Sequence, residues 1–488
     1  MPLVLRQFAR HSLIYGASTL IVRGLNLLLV PIYTRVLAPA DYGLVDLSAV
    51  VVAVVGVTVA LEIAQGLARH LSEAETSEVR GIYASSALAF AIGAYGLFSV
   101  VGLVLAEPLS YLVFGPLAPP GLMQLVVTTA TASGILQLVL NVLRWNLRPV
   151  SYVACSVTYG VTVIGASSIF VLVLGLDVFG VILGQLTGTI AGTSLALWLA
   201  RHLFHPAVDR AALGEMLRFS IPLVPSGIAV LITLYIDRLA IRGFMTVADV
   251  GLFGVGYRVA SIAGLAMIGL QAALTPLIYT NYRDVRMPEQ LARIFRTFIG
   301  FAIVMVLGLA LFAREILVVV SAPAYYDAAV VIPLLAPALL LSSMYIFAPG
   351  LAIARRTGPI AAIHIASALT NTALNLSLIP VLGIAGAAVA TLFSATLTFG
   401  AYMVLSQRHY PVPHDWLRLA GAACVGGASL WTGLVLDPAP PWNLPLRVGL
   451  LVIAAGMLGW LRLIRPAELR AFMRAPSTAT AQSAIPDD

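Results

Sequence analysis

The sequence predicts an all-α polytopic membrane protein: fourteen transmembrane helices, arranged as two six-helix lobes related by a pseudo-two-fold axis along the membrane normal, plus two extra C-terminal helices. Three observations predict it. The 488 residues are 60% hydrophobic and 10% charged, with a mean hydropathy of +0.98, whereas a soluble domain carries about 25% charge. The arginines segregate to one side of the apolar runs, and short motifs recur at an offset of 208 residues.

Apolar runs bounded by Arg, Pro, Gly and Asp clusters give the spans Ser12–Tyr33, Leu44–Gly66, Ile82–Ala106, Met123–Leu143, Val153–Leu174, Val178–Leu199, Phe219–Ile241, Gly251–Ile278, Ile294–Phe312, Val330–Ala354, Pro359–Ile379, Ile384–Leu405, Leu417–Leu436 and Leu446–Ile464. A helix of about 20 residues crosses a hydrocarbon core of about 30 Å. Helices are required because lipid offers no partner to an unpaired backbone group, and no run alternates like a barrel strand. The first run is too long for a signal peptide and reads as a retained helix.

The arginines test this count independently. All 28 basic residues are Arg: 21 fall on one side, Arg35, Arg242, Arg314 and Arg447 on the other, and three within spans. A miscounted span would mix the two sets from that point on, so the bias predicts fourteen crossings with cytoplasmic N and C termini. The formal charge of +7 is therefore mostly topology, and no nucleic-acid partner is expected.

The repeat pairs Ala40-Asp41-Tyr42-Gly43-Leu44 with Ala248-Asp249-Val250-Gly251-Leu252, and Val173-Leu174-Gly175 with Val381-Leu382-Gly383. The shared offset contains six crossings, an even number, so both lobes have the same orientation. The expected division is an N-terminal lobe at 1–200 and a cytoplasmic linker at 201–218, the longest internal loop. A C-terminal lobe at 219–405, spans 13 and 14 at 406–465, and a disordered tail at 466–488 complete it.

No HExxH, P-loop or GxSxG motif is present, and the external loops are too short for an active-site domain, so no enzyme is expected. Cys155 and Cys424 lie in apolar runs and leave no disulfide framework or CxxC site. No cofactor is expected; work would come from an H+ or Na+ gradient, the membrane potential or the substrate's own gradient.

Five charged side chains lie more than two residues inside the spans: Arg23, Glu62, Asp237, Arg238 and Arg258. Each costs on the order of 2.5–3.5 kcal/mol on insertion scales and needs a partner, a watery cavity or a route to the interface. Arg23, roughly 16 Å into span 1 at 1.5 Å per residue, and Arg258, with Tyr257 beside it, are the leading cavity candidates against a buried ion pair. Asp237 and Arg238 point about 100° apart on a helix and do not satisfy each other. Arg238 is either an interface anchor or a cavity residue. Glu62 is a coupling carboxylate or a partner for Arg23 or Arg69. Pro31, Pro222 and Pro225 mark hinges in the equivalent spans 1 and 7. Asn371 and Asn375, one turn apart on one face of span 11, are cavity candidates or polar glue between helices.

The stretch Pro31-Ile32-Tyr33-Thr34-Arg35-Val36-Leu37-Ala38-Pro39-Ala40-Asp41-Tyr42-Gly43 resembles the first external loop of the Wzx-type polysaccharide flippases. Tyr235-Ile236-Asp237-Arg238-Leu239-Ala240-Ile241, followed by Gly251-Leu252-Phe253, is similar to the end of span 7 and the opening of span 8 in the same family. The resemblance covers about residues 10 to 460 and extends to the superfamily holding the MATE exporters and the MurJ-type lipid II flippases. It implies a V-shaped pair of lobes that open alternately and move a polyprenyl-diphosphate-linked oligosaccharide outward, with polysaccharide polymerase or export machinery as further partners. Arg258 occupies a place similar to a cationic span-8 residue of MurJ-type proteins, where cavity arginines meet the diphosphate. The N-terminal Arg-Asp and Phe-Arg-Ile-Pro-like pattern of those proteins is not evident.

The embedded charges, +3 − 2 = +1, favour an anionic lipid substrate over the cationic ligands of a MATE-type antiporter. A MurJ-type lipid II flippase and a non-transporting scaffold of an envelope-synthesis complex are the remaining alternatives.

Overall fold

The computed structural model describes residues 24, 27–116, 118–354, 356–436 and 443–463; Arg23 and the predicted tail at 466–488 lie outside them. The described residues are mostly helical, with no strand among them. In chain order the helices are α1 (Leu27–Val36), α2 (Pro39–Thr58), α3 (Ile63–Glu73), α4 (Ser77–Val104), α5 (Ala106–Val113), α6 (Leu122–Trp145), α7 (Pro149–Ser168) and α8 (Asp177–Ala200). The second half holds α9 (Arg210–Ser220), α10 (Val224–Phe244), α11 (Val247–Ala260), α12 (Ile262–Asn281), α13 (Met287–Leu311), α14 (Ala313–Val320), α15 (Ile332–Ser343) and α16 (Gly350–Ile353). The last four are α17 (Thr357–Leu382), α18 (Ile384–Gln407), α19 (Trp416–Val435) and α20 (Asn443–Trp460). Twelve helical segments among the described residues are long and apolar enough to cross a membrane. To reach fourteen, the sequence count adds the first span, described only in part, and α19, which is not among the twelve.

The recurring motifs have a structural cause. Asp41 and Asp249 each sit three residues into a helix and accept a backbone N–H at its start, Ala38 N at 3.3 Å and Thr246 N at 3.0 Å. Such caps satisfy donors that a helix start leaves open. Two residues later, a Cβ on Gly43 would overlap Val247 O, and one on Gly251 would overlap Pro39 O. The contacts exchange under the 208-residue offset, as residues do across a two-fold interface. Farther along, Gly175 and Gly383 both adopt positive φ, +62° and +60°, the conformation that lets glycine end a helix.

Contacts between the halves converge on the arginine-poor ends of the helices. Thr34 Oγ1 donates to Val320 O at 3.2 Å, and Arg242, its counterpart 208 residues on, donates through Nε to Phe114 O at 3.2 Å. Tyr325 Oη donates to Leu37 O at 2.9 Å, and its ring stands edge-on to Tyr42 at 5.8 Å. The largest apolar core joins both halves here, with Leu47 of α2, Phe253 of α11 and Leu335 of α15. Toward the arginine-rich end α10 changes character: Pro225, Ser226, Ile228, Val230, Ile232 and Leu234 are exposed and the residues between them only half-buried. Gly251→Val is expected to force the α2–α11 crossing apart. A bifunctional crosslink between Thr34→Cys and Val320→Cys should form in the parent and fall at least fivefold in the variant.

Three segments differ from the sequence reading. Span 2 is not continuous: α2 stops at Thr58 and the chain turns through Leu61 and Glu62, at φ +50° and +54°. No Gly or Pro marks this break. It lets α3 lay its apolar stripe, Ile63, Leu67 and Leu71, against α4 and α9. Span 8 divides into α11 and α12 at Ser261, whose hydroxyl donates to Arg258 O at 2.7 Å; such local bonds compete with the helix ladder. The linker is not a loop throughout, because Arg210–Ser220 forms α9, with Met216 buried against α3 at Gly66.

Candidate functional site

At the seam between the halves, Asp46 of α2 reaches two arginines of the second half. Its Oδ2 accepts from Arg238 Nε at 3.2 Å and its Oδ1 from Arg258 Nη2 at 3.4 Å. Gly254, the counterpart of Asp46 under the repeat offset, makes the room: a Cβ there would stand 2.8 Å from Asp46 Oδ2. Aromatic faces complete the surroundings, with Arg238 4.2 Å from the Tyr257 ring centroid and Arg258 4.8 Å from that of Tyr42. Rings placed this way stabilise desolvated guanidinium groups.

The two arginines differ in access. The Arg238 side chain is 6% exposed and that of Arg258 27%. Arg238 is thus not an anchor reaching for the interface; it is buried and ion-paired. Arg258 keeps part of its side chain open while its guanidinium rests on Asp46 and Tyr42. Asp46 is the residue that sequence reasoning missed. It lies two residues inside the predicted start of span 2, so the boundary itself held the signal. Counting it changes the embedded charge from +1 to +3 − 3 = 0, which removes net charge as an argument for an anionic substrate. The exposed share of Arg258 remains as one.

A second cluster lies one helix away. Asp237 is buried, with Oδ1 accepting from Asn375 Nδ2 at 2.8 Å and Oδ2 from Thr391 Oγ1 at 3.0 Å. Asn375 Nδ2 also reaches Asn371 O at 2.9 Å and Asn371 Oδ1 at 3.2 Å. The one-turn spacing of the two asparagines therefore produces a bonded pair. Thr391 Oγ1 is shared between Asp237 and Ala387 O, 2.9 Å away, and a hydroxyl has one proton to give. Asn375 Oδ1 is buried without a hydrogen-bond partner among the described residues. As predicted, Asp237 and Arg238 do not bond to each other; they join different clusters.

Glu62 sits apart, at the α2–α3 break, with its carboxylate against Gly227 of α10. It does not pair with Arg69, which is bridged to Glu73 at 3.4 Å; Arg23 falls outside the described residues. Pro31 lies within α1. Pro222 occupies the 3-10 turn Ile221–Leu223 and Pro225 the first turn of α10. Pro225 thus opens a helix, where its missing N–H is harmless, and does not interrupt one.

A family model described as "Polysaccharide biosynthesis protein" matches residues 8–281. No curated protein sequence matches the chain. Among solved structures, the lipid II flippase MurJ in an inward closed conformation is 13% identical, with a TM-score of 0.67 over 95% of this chain and 100% of that one. An inward-facing multidrug resistance MATE family transporter of the MOP superfamily is 16% identical, with a TM-score of 0.64 over 82% of this chain and 95% of that one. An outward-facing member gives 0.58 at 15% identity, over 86% and 99%. These likenesses give the chain the fold that MATE and MurJ proteins share. With its apolar helices and a model match over more than half its length, this multi-pass membrane chain belongs to the polysaccharide biosynthesis protein family.

Proposed function

We propose that the chain is a flippase that moves a polyprenyl-diphosphate-linked oligosaccharide from the cytoplasmic to the outer leaflet of a bacterial inner membrane by alternating access. The observation that carries this reading is the partly exposed side chain of Arg258 on the seam between the halves, held by a carboxylate and an aromatic face. A diphosphate oxygen forms stronger, charge-assisted bonds to such a fork in a low dielectric than to water. Bound there, it would compete with Asp46 for Arg258 while Arg238 stays buried on Asp46. Arg23 and Arg258 form the proposed cavity set; Arg238, Asn371 and Asn375, each buried until the cavity opens, form the shell behind it, and Pro31, Pro222 and Pro225 the hinge set. The division into lobes at 1–200 and 219–405 belongs to the same reading.

Orientation follows from the arginine asymmetry, which puts the arginine-rich ends in the cytoplasm. On this reading the seam closes the outer side, and the exposed first half of α10 would line a cavity open inward.

Coupling to H+ or Na+ falls to Asp237, with Glu62 as a second carboxylate. Asp237 is buried with Asn375 Oδ1 unpartnered nearby, an oxygen set that suits a proton or a hard cation.

The test is reconstitution of the full chain in liposomes with polyprenyl-diphosphate sugars, reading transbilayer movement with and without ion gradients. Movement of the diphosphate lipid at least tenfold over protein-free vesicles is expected. Movement of organic cations alone would support a drug antiporter, and movement of neither a scaffold.

A further inference from the structure

A different group of charged side chains lies away from the seam, at the arginine-rich end, where α13 begins and residues 409–415 lead into α19. Glu289, Arg293 and Arg296 of α13 face Pro413, His414, Asp415 and Leu419 across a cavity of about 180 Å3. A water molecule's share of liquid volume is about 30 Å3, so the space exceeds what one or two bridging waters fill. The His414 ring is fixed by Phe295 and Trp416, with centroids at 4.8 and 5.2 Å. Both its nitrogens are buried without a hydrogen-bond partner among the described residues. Burial pushes its pKa down to about 4, so at neutral pH the ring is uncharged and offers one donor and one acceptor. Buried polar atoms of this kind are ordinarily satisfied.

The lining carries both signs. Asp415 is engaged by Arg418 at 2.9 Å and caps α19 through Arg418 N at 3.3 Å, while Arg293 and Glu289 are exposed at the mouth. A simple anion placed among Arg293, Arg296 and His414 meets Glu289 as well, and a simple cation meets the arginines. A zwitterion with a phosphodiester and a primary ammonium answers both. Residues 283–296 and 408–418 together hold six arginines and three acids, 6 − 3 = +3, a field that draws the phosphate. Trp416 and Leu417 are exposed beside the pocket, and tryptophan at a span end is the side chain that settles at headgroup level.

We propose that this pocket binds the headgroup of a phosphoethanolamine-type phospholipid, with the phosphodiester on Arg293, Arg296 and His414 and the ammonium on Glu289. It is separate from the seam and does not depend on the transported substrate. The full-length protein in detergent is titrated with dihexanoyl phosphatidylethanolamine, dihexanoyl phosphatidylglycerol and inorganic phosphate, and the thermal midpoint is followed, since a ligand of the folded state raises it by mass action. The phosphatidylethanolamine is expected to raise the midpoint, with the other two at least tenfold weaker in apparent affinity. Glu289→Gln and Arg293→Gln, both at exposed positions that leave the fold intact, should each weaken its binding at least tenfold. The proposal is overturned if phosphatidylethanolamine gives no shift, if phosphatidylglycerol or phosphate matches it, or if both variants bind it as the parent does.

Discussion

Arg258→Ala is expected to slow outward movement of a polyprenyl-diphosphate sugar about 10- to 150-fold per folded molecule. The range follows from losing one charge-assisted hydrogen bond, about 1.5–3 kcal/mol, with about 1.36 kcal/mol for each factor of ten. Arg258→Lys keeps the charge and loses the fork, so an intermediate rate is expected. Arg238→Ala should behave differently, because Arg238 is the buried partner of Asp46. Removing one member of a buried pair destabilises by about 3–5 kcal/mol, so folded yield falls first. Rates and folded yield measured together in proteoliposomes separate the two roles. An Arg258→Ala protein that folds normally and flips at the parental rate would sink the assignment of Arg258 to the diphosphate.

What the sequence disclosed depended on whether the determinant was local. The Ala-Asp-x-Gly motif was legible because capping and close helix approach are each set by a few neighbouring residues: Asp41 and Asp249 bond within three positions of themselves. Its 208-residue recurrence carried the topology. Asn371 and Asn375 were legible by the same rule, being one turn apart on α17. Asp46 was not, because its partners are 192 and 212 residues away, and near a span end it looks like any loop-side acid. The breaks in spans 2 and 8 were hidden for a related reason. Leu61 and Glu62 have no intrinsic preference for positive φ; their turn is imposed by α3 packing against α9, an interaction between segments that hydropathy does not pair. The same omission of Asp46 misdirected the electrostatic argument, since it neutralises the surplus arginine. Access therefore distinguishes Arg258 from Arg238.

Asp237→Asn is expected to bring the ratio of translocation rates with and without an ion gradient down to about one. One charge carried down 100 mV supplies about 2.3 kcal/mol, worth about 50-fold at about 1.36 kcal/mol per factor of ten, so gradient dependence is a large signal to lose. The substitution keeps the shape of the side chain and removes its ionisable character. Its surroundings can accommodate an amide, since Asn375 Oδ1 is an acceptor without a partner among the described residues and Thr391 Oγ1 already has Ala387 O as an alternative acceptor. Glu62→Gln, beside Gly227 and away from this cluster, is the control that discriminates between the two carboxylates. If Asp237 carries the coupling ion, the Glu62→Gln protein keeps most of its gradient response; if that response vanishes and the Asp237→Asn response persists, the coupling site lies at the α2–α3 break. Running both under separate proton and sodium gradients also identifies the ion, because only the gradient that Asp237 serves should lose its effect.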